Sequence, residues 1–244
     1  MTVFPKFGAI WVYLAASPLL GLTITLVAYL VAQAIYARAH FNPLANPVLI
    51  SIVLLVTILE LTHTPYPTYF AGAQFVHFLL GPATVALALP LYRQWSTLRE
   101  AWLPLLGGLI AGSLTAIFSA VGVAAVLGAS HQTIASLAPK SATTPIAMAV
   151  ASEIGGIPSL TAVLVISTGI FGAVSARTIL NALRVTEPEV RGFALGVASH
   201  GIGTARAFQV SEQVGAFAGL GMGLNGVLTA FIVPILLPVV SRWL

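Results

Sequence analysis

The chain has 244 residues, 58% of them hydrophobic and only 7% charged, with a mean hydropathy of +1.00. Charged residues make up about a quarter of an ordinary soluble domain, so this composition excludes a soluble globular protein and requires a surface that faces lipid. The isoelectric point near 9.8 comes from ten basic residues against six acidic ones, scattered without a cluster, which excludes a nucleic-acid footprint.

No cysteine is present, which removes disulfides, thiolate metal sites and thiol nucleophiles. At about 20 apolar residues per helical crossing, the length admits roughly seven to nine spans. The expected class is therefore an all-α integral membrane protein, a multi-pass helical bundle forming one domain over residues 1–244. The start does not read as a cleavable signal, because Lys6 is the sole early charge and the apolar stretch after it runs on.

In chain order, the first long apolar run covers Gly8 to Tyr36, is broken at Ser17-Pro18, and stops at Arg38 and His40. A second runs from Asn46 to Leu61 and ends in the Pro- and Tyr-rich stretch from His63 to Tyr69. Phe70 to Tyr92 is apolar but interrupted at Gly81-Pro82, and Arg93 to Glu100 is polar. Leu103 to Gly128 is a clear span, followed by a polar connector from Ser130 to Lys140. Ser141 to Ser152 is apolar but too short to cross. Pro158 to Leu183 is a span, Arg184 to Arg191 a charged loop, Gly192 to Phe208 a run rich in small residues, and Gly215 to Val240 the last span.

Two stretches resemble copies of one another. Residues 80–88 and 143–151 each carry a proline followed by alternating alanine and aliphatic residues. Paired, proline-interrupted short segments in two halves mark transporter binding sites; chance similarity between alanine-rich spans is the competing explanation. The expected organisation is an N-terminal span and connector over 1–45 and two repeats, 46–128 and 130–240, read as inverted. Charge distribution adds that Ser141 to Ser152 is re-entrant. If Arg38, Arg93 and Arg99 are cytoplasmic, Lys140 falls outside, and only a segment that dips and returns brings Arg184 and Arg191 back inside.

Chemistry is expected in two places. Thr143, Thr144 and Pro145 form a helix start, with proline at the first helical position and threonine before it. The free N–H groups and positive dipole end of such a start suit an anion. Pro82, with Thr84 in its first turn, offers a second start. The other place is Ser199, His200, Gly203, Thr204 and Arg206, a polar group within an apolar segment. Continuous helical spacing puts Ser199, Gly203 and Arg206 on one stripe and His200 and Thr204 on the next. An arginine at membrane depth marks a pathway or a partner and suits a carboxylate; at a span end it snorkels to the headgroups instead.

Glu153 is a candidate partner for Arg206 or a coupling-proton acceptor, and equally an exposed loop carboxylate. Asn225 sits mid-span, where inter-helix bonding and substrate contact explain it equally well. The spacing of Gly215, Gly219 and Gly223 points to close helix packing. No His-Glu-x-x-His, Gly-x-Ser-x-Gly or phosphate-loop pattern occurs, so the chain is not read as an enzyme, and no cofactor or metal is expected.

Several motifs together resemble the LrgB/CidB membrane protein family. They are Lys140-Ser141-x-Thr143-Thr144-Pro145-Ile146-Ala147, Ile154-Gly155-Gly156-Ile157-Pro158 and Ser199-His200-Gly201-x-Gly203-Thr204-Ala205-Arg206. Leu79 to Ala88, Gly215-Ala216-Phe217 and Gly223-Leu224-Asn225-Gly226 add to the likeness, which runs from about Asn46 to the C-terminus. The resemblance implies one of two functions. Members are described as holin/antiholin-like modulators of murein hydrolases and lysis, and others are tied to pyruvate movement or, in plastids, to glycolate/glycerate translocation. The plastid relatives resemble a fusion with a small LrgA-like domain, and the stretch before Asn46 is too short to hold one, so a separate LrgA-like partner is expected. The function expected first is secondary transport of a small organic anion, a monocarboxylate of the glycolate, glycerate, pyruvate or lactate type, by alternating access. A homodimer in the cell membrane is the expected setting.

Overall fold

The computed structural model describes residues 18–42, 45–79, 82, 85, 86 and 88–240, and these form helices and connections with no strand. Eleven helices follow in order. They are α1 (Pro18–Arg38), α2 (Pro47–Leu61), α3 (Tyr66–Phe78), α4 (Ala88–Arg93), α5 (Trp95–Glu100), α6 (Trp102–Val126), α7 (His131–Leu137), α8 (Thr144–Glu153), α9 (Pro158–Ala182), α10 (Pro188–Phe208) and α11 (Glu212–Val240). Among the described residues, α1, α6, α9 and α11 are long and apolar enough to cross a membrane. That is fewer than the length alone admits, because much of the remaining chain goes into short or broken helices.

The chain divides into two compact units, Met1–Ala86 and Leu87–Leu244. In the first, α1 packs on α2 and α3. Asn46 caps α2 by accepting from the Val48 and Leu49 amides, with Pro47 in its first turn. Gly21 lets α1 lie directly on the Tyr69 carbonyl, and the Tyr69 hydroxyl meets Thr25 Oγ1 at 2.8 Å.

In the second unit, three helices run side by side in one direction. Gln213 Nε2 donates to Glu189 Oε1 at 2.6 Å at their start, and Gly192, Gly196 and Val197 then meet Val214, Ala218 and Gly221 in turn. Leu105 and Leu109 of α6 share a core cluster with Phe193, Val197 and Phe217. The first part of α10, α11 and α6 therefore all begin on one side, here called proximal, and α6 and α11 end on the distal side. Alpha9 runs the opposite way, with Gly172 under Ser199 and Gly169 and Val165 under the His200 ring.

Between these helices lie two hairpins of opposite approach. After α6 ends at the positive-φ turn of Gly128, α7 turns back along it, packing Ile134, Ala135 and Ala138 with Ile117, Val121 and Ala124. Alpha8 then returns to the distal side. The turn that follows it meets α7, where Ser136 Oγ accepts from the Ile157 amide at 2.7 Å and Thr161 Oγ1 donates to the Ser136 carbonyl at 3.0 Å. The hairpin spans residues 131–153: the stretch 130–140, expected as an outside connector, is its first arm with Lys140 at the tip, and residues 141–152, expected to dip and return alone, form only its second arm.

The second hairpin was not foreseen. Alpha10 breaks at His200, whose φ of 43° and ψ of −135° are not helical. The chain reverses there, so that a Cβ on Gly203 would lie 2.7 Å from the Leu195 carbonyl oxygen, eight residues back. In a continuous helix these positions are about 12 Å apart. The first arm, residues 188–199, enters from the proximal side and the second, 201–208, returns to it, where α11 begins.

Of the expected glycine stripe, Gly215 is closely packed, since a Cβ there would run into the Phe208 ring, whereas a Cβ on Gly223 would meet nothing within 4 Å; Gly192, Gly196 and Gly221 add further close approaches. A Cβ on Gly196 would run into the Ala218 carbonyl. Replacing Gly196 by alanine is expected to destabilise the protein by about 1–3 kcal/mol, seen as a lower thermal unfolding midpoint. Gly122→Ala, with nothing within 4 Å, is the control and should shift stability by less than about 1 kcal/mol.

Candidate functional site

Both hairpins turn at the middle of the unit. The tip of the first is the stretch 138–143, in which Ala138, Pro139, Ser141 and Ala142 are buried and Lys140 is half-buried. A seven-residue α7 rises about 10 Å, so this tip lies about that far in from the distal end of α6. The tip of the second is His200, near the midpoint of the stretch between Pro188 and Phe208.

Breaking a helix leaves backbone groups without partners, and in a membrane each one costs several kcal/mol. One side chain answers this for both tips. Asn225, halfway along α11 and 1% exposed, donates from Nδ2 to the Ser141 carbonyl at 3.0 Å and to the Val197 carbonyl at 3.1 Å. Val197 lies in the last turn before the break. Asn225 Oδ1 accepts from Ser113 Oγ of α6, itself buried. Three of the four hydrogen-bonding valences of the amide group thus engage α6, α10 and the first hairpin. Of the two explanations open for Asn225, inter-helix bonding is the one the structure displays.

His200 is 3% exposed, and its Nε2–H donates to the Val165 carbonyl of α9 at 2.9 Å. Val165 is fully buried against Ala142 and Ala147, which flank Thr143 and Thr144. His200 therefore adjoins the first tip. Thr204 Oγ1 donates to the His200 carbonyl at 2.8 Å and lies against the Met222 sulfur.

In each hairpin the second arm begins at the tip. Thr143 is the N-cap of α8, yet its side chain makes no capping bond, so the first-turn amides stay open. Thr143 and Thr144 are half-buried and Pro145 is exposed. The second arm of α10 likewise starts at Gly201, directly after the break. Two helix starts, each carrying positive partial charge, thus follow the two reversals that Asn225 ties together through the Ser141 and Val197 carbonyls. Lys140 stands beside the first, its Nζ donating to Ser141 Oγ at 3.3 Å.

The remaining candidates lie elsewhere. Ser199 is fully buried against Gly172 of α9, and its hydroxyl has no hydrogen-bond partner among the described residues. Gly203 lets the two arms of α10 touch. Arg206, expected at membrane depth, is carried back toward the proximal side by the reversal at His200 and donates to Gln209 Oε1 at 3.0 Å. The stripe that joined Ser199, Gly203 and Arg206 assumed an unbroken helix. Glu153 is exposed at the far end of α8. Pro82 is exposed and belongs to the first unit, and Thr84 lies outside the described residues. Lys140 is the site residue that sequence reasoning misses; a lone lysine beside a Thr-Thr-Pro helix start is its signal.

Residues 25–239 match the model of the LrgB-like family. The chain belongs to that family. Among the relatives of this LrgB-like chain is YxaC of Bacillus subtilis, 37% identical over 212 residues, which are 87% of this chain and 92% of that protein. The antiholin-like protein LrgB of Bacillus cereus is 30% identical over 225 residues, 92% of this chain and 98% of the relative. No solved structure matches.

Replacing Asn225 by leucine strands two buried carbonyls and a hydroxyl. The variant should lose about 3 kcal/mol or more of stability, read from denaturant or thermal unfolding in detergent. Ser113→Ala, which leaves the two carbonyl bonds intact, should lose only about 1 kcal/mol.

Proposed function

We propose that this LrgB-like protein is a secondary transporter that carries small monocarboxylates of the glycolate, glycerate, pyruvate or lactate type across the cell membrane by alternating access. The observation that carries the proposal is that one buried side chain, Asn225, ties together two chain reversals, each followed by a half-helix start, with the half-buried Lys140 beside the first. A positive charge at membrane depth with no carboxylate partner among the described residues calls for an anion, and N-terminal amides bind one carboxylate well. The set is small and closed, matched to a small ligand rather than to a wide pore. Hairpins that enter from opposite sides and meet midway form the broken-helix arrangement that transporters place at their binding level.

Lys140, Thr143, Thr144, the first-turn amides of α8 and His200 form the site in this reading, and Asn225 holds it in shape. Arg93, Arg99, Arg184, Arg191 and Arg206 mark the proximal side, which makes it cytoplasmic by the positive-inside rule. The protein works as a homodimer, with an LrgA-like small membrane protein as partner. No bond of the solute is made or broken.

The second reading is an antiholin-like role in the control of lysis, and it is favoured by the name of the Bacillus cereus relatives. The two differ in what purified protein does in a vesicle. A carrier takes up labelled pyruvate or glycolate while retaining an entrapped dye; a lytic component releases the dye. Uptake by Lys140→Gln should fall about tenfold or more, as expected for loss of a charge-assisted hydrogen bond. Arg206→Gln should stay within about threefold of the parent. Dye release without uptake, or equal uptake by both variants, would remove the carrier proposal.

A further inference from the structure

Alpha4, α5 and the start of α6 form part of the proximal rim of the second unit, and their outer face has no part in the carrier site. Tyr92, Trp95, Arg99 and Trp102 follow one another at intervals of three, four and three residues, the spacing of neighbours along one helical face. Tyr92 is 75% exposed, Trp95 59% and Trp102 55%, and Arg99 is exposed with them. The inward face differs: Leu98 and Ala101 pack on the core cluster of Leu105, Phe193 and Phe217. The rim is therefore held to the bundle by its apolar side and turns three aromatic rings and a guanidinium outward.

Trp and Tyr combine an apolar body with a polar tip and settle where hydrocarbon meets the lipid headgroups. Trp102 opens a 25-residue helix long and apolar enough to cross a membrane, which puts this face at that boundary. The arginine among the rings is not tied to protein. Elsewhere on the proximal side Arg93 pairs with Glu212 at 2.8 Å, Arg191 donates to Asn181 and the Val185 carbonyl, and Arg206 donates to Gln209. Arg99 makes no hydrogen bond or ion pair among the described residues. A guanidinium at headgroup level matches a phosphate, which it grips through two N–H groups at once. The proximal segments 93–100 and 177–212 hold six arginines against four glutamates, which favours a negative headgroup. We propose that this face binds an anionic phospholipid of the proximal leaflet, with the phosphate on Arg99 and the rings of Tyr92, Trp95 and Trp102 against the glycerol and upper acyl chains. The bound lipid steadies α5 and, through Leu98 and Ala101, the core at the proximal ends of α6, α10 and α11.

The test uses the full chain in vesicles, with Trp11 and Trp243 replaced by phenylalanine so that all emission comes from Trp95 and Trp102. Phosphatidylglycerol or phosphatidylcholine with brominated acyl chains is titrated in, and the quenching gives their relative affinity for the face. Phosphatidylglycerol should compete about fivefold better, the effect of one arginine at a charged surface, and the preference should shrink as salt rises. Arg99→Gln should abolish the preference and Arg99→Lys should keep most of it. Arg184→Gln, which removes an exposed arginine beyond the end of α9, should leave it unchanged. Equal quenching by the two lipids overturns the proposal, as does a preference that falls as far in Arg184→Gln as in Arg99→Gln. Protection of both tryptophans from either lipid also overturns it, since protein then covers the face. No solute enters the measurement, so each result leaves the carrier proposal to its own test.

Discussion

The second unit depends on what becomes of backbone groups where helices break far from water. Two reversals, at residues 138–143 and at His200, release carbonyls at a depth where no solvent can take them. The amide of Asn225 accepts the task for both, and it reaches them from a third helix while gripping a fourth through Ser113. The chemistry selects the residue type. Two donors and an acceptor are needed within one short side chain. Aspartate would set a negative charge against two carbonyls, and leucine would leave them bare.

His200 makes the complementary contribution from the other side. Its backbone lies at positive φ with a non-helical ψ, a conformation that costs a non-glycine residue of order 1–3 kcal/mol. Its ring bond to the Val165 carbonyl and the close approach allowed by Gly169 hold it there. The same conformation starts the second arm of α10 at the tip rather than at the membrane edge. Strain in the backbone and the positive end of a half-helix are two aspects of one turn.

Much of this was legible beforehand. Apolar runs and low charge located the long helices, and Thr143-Thr144-Pro145 marked the start of α8 to within one residue, the helix beginning at Thr144 rather than at Pro145. The charge pattern suggested a segment that dips and returns but put Lys140 outside it; the hairpin begins earlier, with α7, and carries Lys140 at its tip. The reversal at His200 escaped, since residues 192–208 keep helical composition on both sides of it and a single dihedral pair decides the direction. Everything assigned to Arg206 followed from that one omission: on a straight helix the guanidinium sits deep, and on a folded one it comes home. Pairing of distant residues was beyond sequence as well. Nothing in the neighbourhood of Asn225 announces Ser141, 84 positions earlier, as its partner.

Asn225 belongs to the last described helix to leave the ribosome. Until α11 is inserted, the carbonyls of Ser141 and Val197 have no donor, and neither hairpin can settle at depth without exposing them to lipid. Assembly of the central site therefore waits on the C-terminal part of the chain.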